Sequence, residues 1–257
     1  MRRRYEFVQL DVFTRTRLMG NPLAVVTDAR GLTDDEMQKL ARETNLSETT
    51  FIVPPRAPEV EAREGHRVRI FTIEEELAFA GHPTLGTALY LHSTLARQAD
   101  HVVLHLNVGK VPVRFAPDSQ SAIIDQIDGK IFGEMRQPDP EFGPTLPPHD
   151  IARVLGMDSG EIASEWPSQV ISTGLPFAIV PFRNLETLAN LKLDVTRLAA
   201  LLENTGARFF YFIYFAGCQK TAEARARLFF YGGEDPATGS AAGCDQAHKR
   251  LRYRIYV

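Results

Sequence analysis

Cysteine is scarce in this 257-residue chain, with only Cys218 and Cys244 present. Two thiols cannot build a disulfide framework, and neither stands in a CxxC metal spacing. Buried or half-buried thiols are the plain expectation for both. Long apolar runs are missing too, since no stretch approaches the roughly 18–20 residues of a membrane span. The opening Met1-Arg2-Arg3-Arg4 resembles a signal peptide's basic start, but residues 5–12 are short and alternating, without an apolar core or a cleavage site. The expected protein is cytoplasmic, with no membrane partner. Excess positive charge is absent as well: 29 Lys and Arg against 32 Asp and Glu give a formal net charge of −3. That speaks against a nucleic-acid partner, whose phosphates call for a basic face. HExxH, a Walker loop and GxGxxG are lacking, so zinc, ATP and dinucleotide readings find no support. His101 and His105 share one face of a strand-like run, yet no cysteine or carboxylate accompanies them as a metal set.

What the chain does contain is internal similarity. Gly20-Asn21-Pro22-Leu23-Ala24-Val25-Val26 recurs as Gly174-Leu175-Pro176-Phe177-Ala178-Ile179-Val180. His82-Pro83-Thr84-Leu85-Gly86-Thr87-Ala88 recurs as Asp235-Pro236-Ala237-Thr238-Gly239-Ser240-Ala241, and Arg69-Ile70-Phe71 as Arg227-Leu228-Phe229. Residue 174 answers 20, 235 answers 82 and 227 answers 69, so the spacings are 154, 153 and 158 positions. Three matches in one order at nearly one spacing imply a duplicated architecture. With 44% hydrophobic and 24% charged residues the composition is that of a globular protein, and the length suits two modest domains.

Each copy begins with a strand (6–13; 169–172), then a Gly-x-Pro turn and a second apolar strand (23–26; 177–180). A helix is indicated by Met37, Leu40 and Ala41, and again by Leu198, Leu201 and Leu202. Strand pairs at 49–53 with 68–71 and at 209–215 with 226–230 precede the helix that each motif starts. Residues 138–144 are the best linker candidate, giving an N-terminal domain over 1–137 and a C-terminal domain over 138–257. A residue before proline is pushed out of helical geometry while proline is tolerated at the first helical position, so His82 and Asp235 are expected at N-caps. Small residues follow both, leaving the first-turn N–H groups uncovered for an anion such as a carboxylate. Simple capping explains either copy alone; the pair suggests a cleft lined by two helix starts.

These segments resemble the PhzF-type, phenazine-biosynthesis isomerase-like family, relatives of diaminopimelate epimerase. The similarity is carried by residues 9–14, 20–26, Asn45-Leu46-Ser47-Glu48-Thr49-Thr50-Phe51, 69–72, 81–86, 172–176 and 234–241. It implies an α+β fold of two pseudo-symmetric domains, each a curled, mostly antiparallel sheet around a central helix, with the active site between them. It also implies Glu48 as general acid and base, assisted by His82 and Asp235, with Ser47, Gly81, Gly239 and Ser240 around the substrate. The family's best-understood reaction moves a proton between ring carbons of a dihydro-hydroxyanthranilate without metal or organic cofactor. A small carboxylated metabolite as substrate and a homodimer as assembly follow from the same resemblance.

Physical reasoning on Glu48 stands beside this. A carboxyl that removes and returns a proton near neutral pH needs its affinity for protons raised, and burial does that. Glu48 directly precedes the apolar run 49–53, where the chain dives inward. Glu74, Glu75 and Glu76 read as a solvated acidic loop. The relatives' facing thiol pair finds no counterpart, because Ala80 and Gly81 flank the first motif and Cys244 lies inside the second helix. One departure is plain: strands at 102–106, 110–115 and 122–127 finish the first sheet, whereas only residues 245–257 follow the second helix. A second domain lacking strands, apart from one at 251–257, is therefore expected, with exposed edges. An isomerase is the leading reading, and a catalytically silent small-acid- or protein-binding member of the same fold is the rival.

Overall fold

The computed structural model describes residues 3–14, 18–54, 57–94, 99–117, 131–135, 137–215, 224–230, 233–235, 238–239 and 241–242. They fall into two compact units that part between Gln137 and Pro138. In the first, Phe7–Val12 (β1) runs antiparallel to Asn21–Val26 (β2), in which Leu23 to Val26 are all buried. Helix α1, Asp34–Thr44, opens on a capping box between Thr33 and Glu36. It closes on Asn45 at φ 53°, whose N–H reaches the Ala41 carbonyl. Asparagine is one of the few side chains that tolerate this left-handed conformation. That stop turns the chain through Leu46 and Ser47 into Glu48–Ile52 (β3), parallel to β2 with Leu23 opposite Glu48.

Helix α2 (Pro58–Glu64) leads into His66–Phe71 (β4), antiparallel to β3, and Glu76–Leu77 (β5) pairs with β4. Helix α3, Gly81–Thr94, follows, and His101–Leu106 (β6), Gly109–Pro117 (β7) and Ile131–Met135 (β8) complete the sheet. Its order is β1-β2-β3-β4-β6-β7-β8, with β5 beside β4. The sheet curls about α3, which packs on β1, β2, β3, β6 and β8. Every residue from Gly81 to Ala88 is buried, the mark of a helix enclosed on all sides. Gly86 allows the closest approach: a Cβ there would lie 2.7 Å from Leu23 Cδ2 and 2.8 Å from Val12 Cγ2.

The second unit contains Glu141–Thr145 (β9), α4 (Pro148–Leu155), Gln169–Ser172 (β10), Pro176–Phe182 (β11), α5 (Leu185–Ala189) and α6 (Val195–Leu202). Phe209–Phe215 (β12), Ala224–Phe230 (β13) and Gly233–Asp235 (β14) follow, in the order β14-β13-β12-β11-β10-β9. Strands β10 to β14 pair in the same succession as β1 to β5: antiparallel, parallel, antiparallel, antiparallel. Alternate β12 residues serve opposite faces. Phe210 and Phe212 pack with Ile151, Leu188 and Leu198 of the helices, while Tyr211 and Ile213 pack with Leu228 and Ala241. Burial on both faces explains why 209–215 is continuously apolar instead of alternating.

Two expectations are corrected. The linker proposed at 138–144 is largely strand, because β9 begins at Glu141 and pairs with β10. Gly143 and Pro144 misled the reading, yet proline is tolerated on an edge strand, which β9 is. Glu76 is not a solvated loop residue: it pairs with Arg69, and only 23% of its side chain is exposed. Helices α4 and α5 carry no counterpart in the repeat and were not anticipated. The strands expected at 122–127 and 251–257, Ser240, Cys218 and Cys244 lie outside the described residues. Among the described residues the second unit has no counterparts of β6 to β8, and no helix is long and apolar enough to cross a membrane.

Candidate active site

Helix α3 begins two residues before the expected point. Gly81 is its first residue, and the Thr84 N–H reaches the Ala80 carbonyl at 3.3 Å, so Ala80 holds the cap place expected for His82. Pro83 lies inside the first turn, where a missing N–H breaks no helical bond. His82 is therefore part of the helix, and its side chain enters the core at 3% exposure instead of capping. There the Asn21 side-chain amide nitrogen lies 3.2 Å from Nδ1. Phe13 meets the imidazole edge-on, ring centres 6.3 Å apart, from a backbone held at φ 63°. A bulky residue seldom occupies that region, and such outliers gather at functional sites.

Glu48 arrives from the sheet. The Asn45 stop places it at the first position of β3, and its Oε2 lies 3.6 Å from His82 Nε2. Two threonine pairs fix this corner: Thr49 with Thr44 at 2.7 Å, and Thr50 with Thr87 of α3 at 2.8 Å. Burial drives the His82 pKa down to about 3, opposed only in part by the Pro22 carbonyl. The ring is thus neutral at pH 7, and its approach to Glu48 is a contact between a dipole and a carboxyl rather than an ion pair. A neutral imidazole beside a carboxyl can orient it and supply one N–H donor.

Ser47 precedes Glu48 in the half-buried turn, and Gly81 precedes His82 at the buried helix start. Asp235 and Gly239 belong to the second unit. Asp235 ends β14 opposite Leu228, buried, and accepts a hydrogen bond from the Thr238 hydroxyl. Among the described residues beyond it Gly239, Ala241 and Ala242 are helical, and the Ala242 N–H reaches the Thr238 carbonyl at 3.1 Å, so Thr238 and not Asp235 holds the cap place expected of the second motif. An arginine clasp recurs in both units: Arg69 grips Glu76 and lies 5.0 Å over Phe71, and Arg227 grips Glu234 and lies 4.6 Å over Phe229. Sequence reasoning missed Asn21 and Phe13 as neighbours of His82. Asn21 was visible only as a turn residue, and nothing in the sequence brings Phe13 to position 82.

A curled sheet wound on a buried helix brings a carboxyl and a neutral imidazole together at the helix start, and the proteins this chain is similar to are isomerases. The chain belongs to the phenazine biosynthesis-like (PhzC-PhzF) family, whose model matches residues 10–255. It is 37% identical over 253 residues to an uncharacterised isomerase of Mesorhizobium japonicum, covering 92% of this chain and 77% of that protein. It is 34% identical over 242 residues to the trans-2,3-dihydro-3-hydroxyanthranilate isomerase of Pseudomonas aeruginosa, covering 93% and 77%. A solved structure from the same organism, a predicted epimerase, is similar with a TM-score of 0.78 at 35% identity, covering 95% of this chain and 81% of that one.

Proposed function

We propose that the protein is a cofactor-independent isomerase in which Glu48 removes a proton from one carbon of a small carboxylated, cyclic or unsaturated metabolite and returns it to another. The observation that carries this is Glu48 Oε2 at 3.6 Å from a fully buried, neutral His82. A carboxylate takes the proton as the C–H bond breaks, and the carboxylic acid so formed returns it as the new C–H bond forms. Atoms and charge balance without a further reactant. His82, as a neutral ring, orients the carboxyl without competing for its proton. Ser47 and Gly81, each one position before these two side chains, supply donors, and Asp235, Gly239 and Ser240 hold the substrate.

Two comparisons support the reading: the relative that isomerises trans-2,3-dihydro-3-hydroxyanthranilate, and the recurrence of the strand pairing without the carboxyl. Leu23 faces Glu48 in the first sheet, and Phe177 faces Phe209 at the same register of the second. The acid/base group thus belongs to one unit. In deuterium oxide with trans-2,3-dihydro-3-hydroxyanthranilate and a panel of cyclic carboxylates, the wild-type protein exchanges a carbon-bound hydrogen. Glu48→Gln keeps the fold by circular dichroism and loses exchange by about a hundredfold or more. Undiminished exchange in that variant would falsify the assignment.

A further inference from the structure

Asn21 is fully buried at the first position of β2, and its side-chain amide nitrogen faces His82 Nδ1 at 3.2 Å. The ring's other nitrogen faces Glu48 at 3.6 Å, and Phe13 closes on it edge-on. A neutral imidazole carries a single N–H, and the partner of one nitrogen decides which nitrogen holds it. An amide NH2 group can donate but not accept. The second unit sharpens the point. Gly20-Asn21-Pro22 is answered there by Gly174-Leu175-Pro176, and the position answering Glu48 is Phe209. Asparagine and glutamate are replaced together by apolar residues, as expected of two groups that serve one histidine.

We infer that Asn21 is a positioning residue: it donates to His82 Nδ1 and so holds the ring in the Nε2–H form, with the proton directed at the Glu48 carboxyl. The inference rests on Glu48 being the acid/base group proposed above. With the opposite tautomer, Nε2 would turn a lone pair on the carboxylate, disfavouring the ionised form that must accept the substrate's proton. The Pro22 carbonyl is the competing influence, because an acceptor favours a ring N–H.

Nitrogen-15 NMR of the imidazole rings in the full chain tests this, with the His82 signals identified by their loss in His82→Gln. The wild-type spectrum is expected to show Nε2 protonated and Nδ1 bare, unchanged between pH 5 and 8. Asn21→Asp keeps the size of the side chain but replaces a donor by an acceptor, so the His82 proton moves to Nδ1. With trans-2,3-dihydro-3-hydroxyanthranilate as probe, kcat in that variant falls at least about tenfold while KM stays within about twofold, since the group acts through the ring and not on the substrate. A wild-type ring protonated at Nδ1 overturns the inference, as does a ring that keeps Nε2–H in Asn21→Asp, or an unchanged kcat once the proton has moved. If Asn21→Asp does not fold, the wild-type spectrum decides alone. A ring that follows Asn21 in a protein whose exchange survives Glu48→Gln would instead sink the role of Glu48 and leave the hold of Asn21 on His82 standing.

Discussion

The burial of His82 is expected to make the protein sensitive to acid. Its folded pKa of about 3 lies below the ordinary 6.5, so between these values the unfolded chain binds one proton more than the native state. The stabilisation is complete above about pH 6.5 and is lost as the pH falls toward 3. From pH 7.5 to 5 the loss from this group is about 2 kcal/mol, in a range where carboxylates titrate little. Denaturant midpoints at the two pH values check this: the wild-type protein loses stability on acidification, and His82→Gln loses much less. Equal losses in the two proteins would remove His82 as the source. At this scale Glu48 was legible only through the Asn-Leu-Ser-Glu segment, since a glutamate before an apolar strand is ordinarily exposed. Asn21 was legible only as a turn residue, because its partner lies 61 positions away.

At the scale of elements, α3 is held to the sheet by polar as well as apolar contacts. Thr50 of β3 and Thr87 of α3 share a hydrogen bond at 2.8 Å, both fully buried. Thr87→Val leaves the Thr50 hydroxyl buried with one partner fewer, and should cost about 1–3 kcal/mol. Thr50→Val does the same to Thr87, and the double replacement should cost less than the sum because no hydroxyl is then stranded. Thermal denaturation of the four proteins measures the coupling, and strict additivity would show that the pair is not coupled. Elements with local signals were readable in advance: apolar alternation marked β1, and the 3.6-residue period marked α1. The start of α3 lies two residues before the place that Pro83 suggested. Proline restricts its predecessor locally, but the enclosing sheet decides where helical hydrogen bonding begins.

At the scale of the molecule, two sheets share one order of pairing and one clasp. Arg227 joins Glu234 and also donates to the carbonyls of Leu188, Ala189 and Leu191 near the end of α5, while Arg69 joins Glu76 and Asp34. Replacing either arginine by methionine keeps most of its bulk and strands polar groups, at about 1–2 kcal/mol each. Because the two clasps belong to separate units, their costs should add in the double variant. A marked departure from additivity in denaturant midpoints would mean that the clasps act on one another.

The sequence by itself determined the strands that flank the two Gly-x-Pro turns, the strand pairs that follow them and the recurrence of the helix-start motif. All of these rest on local propensity and on similarity along the chain. Only the tertiary structure decided which polar groups meet. It turned the suspected linker into an edge strand, since a strand exists by virtue of its partner. It drew Glu76 onto Arg69 and brought Asn21, His82 and Glu48 to one corner. Burial, which made His82 neutral, is a property of the enclosing sheet and not of the residues on either side of it.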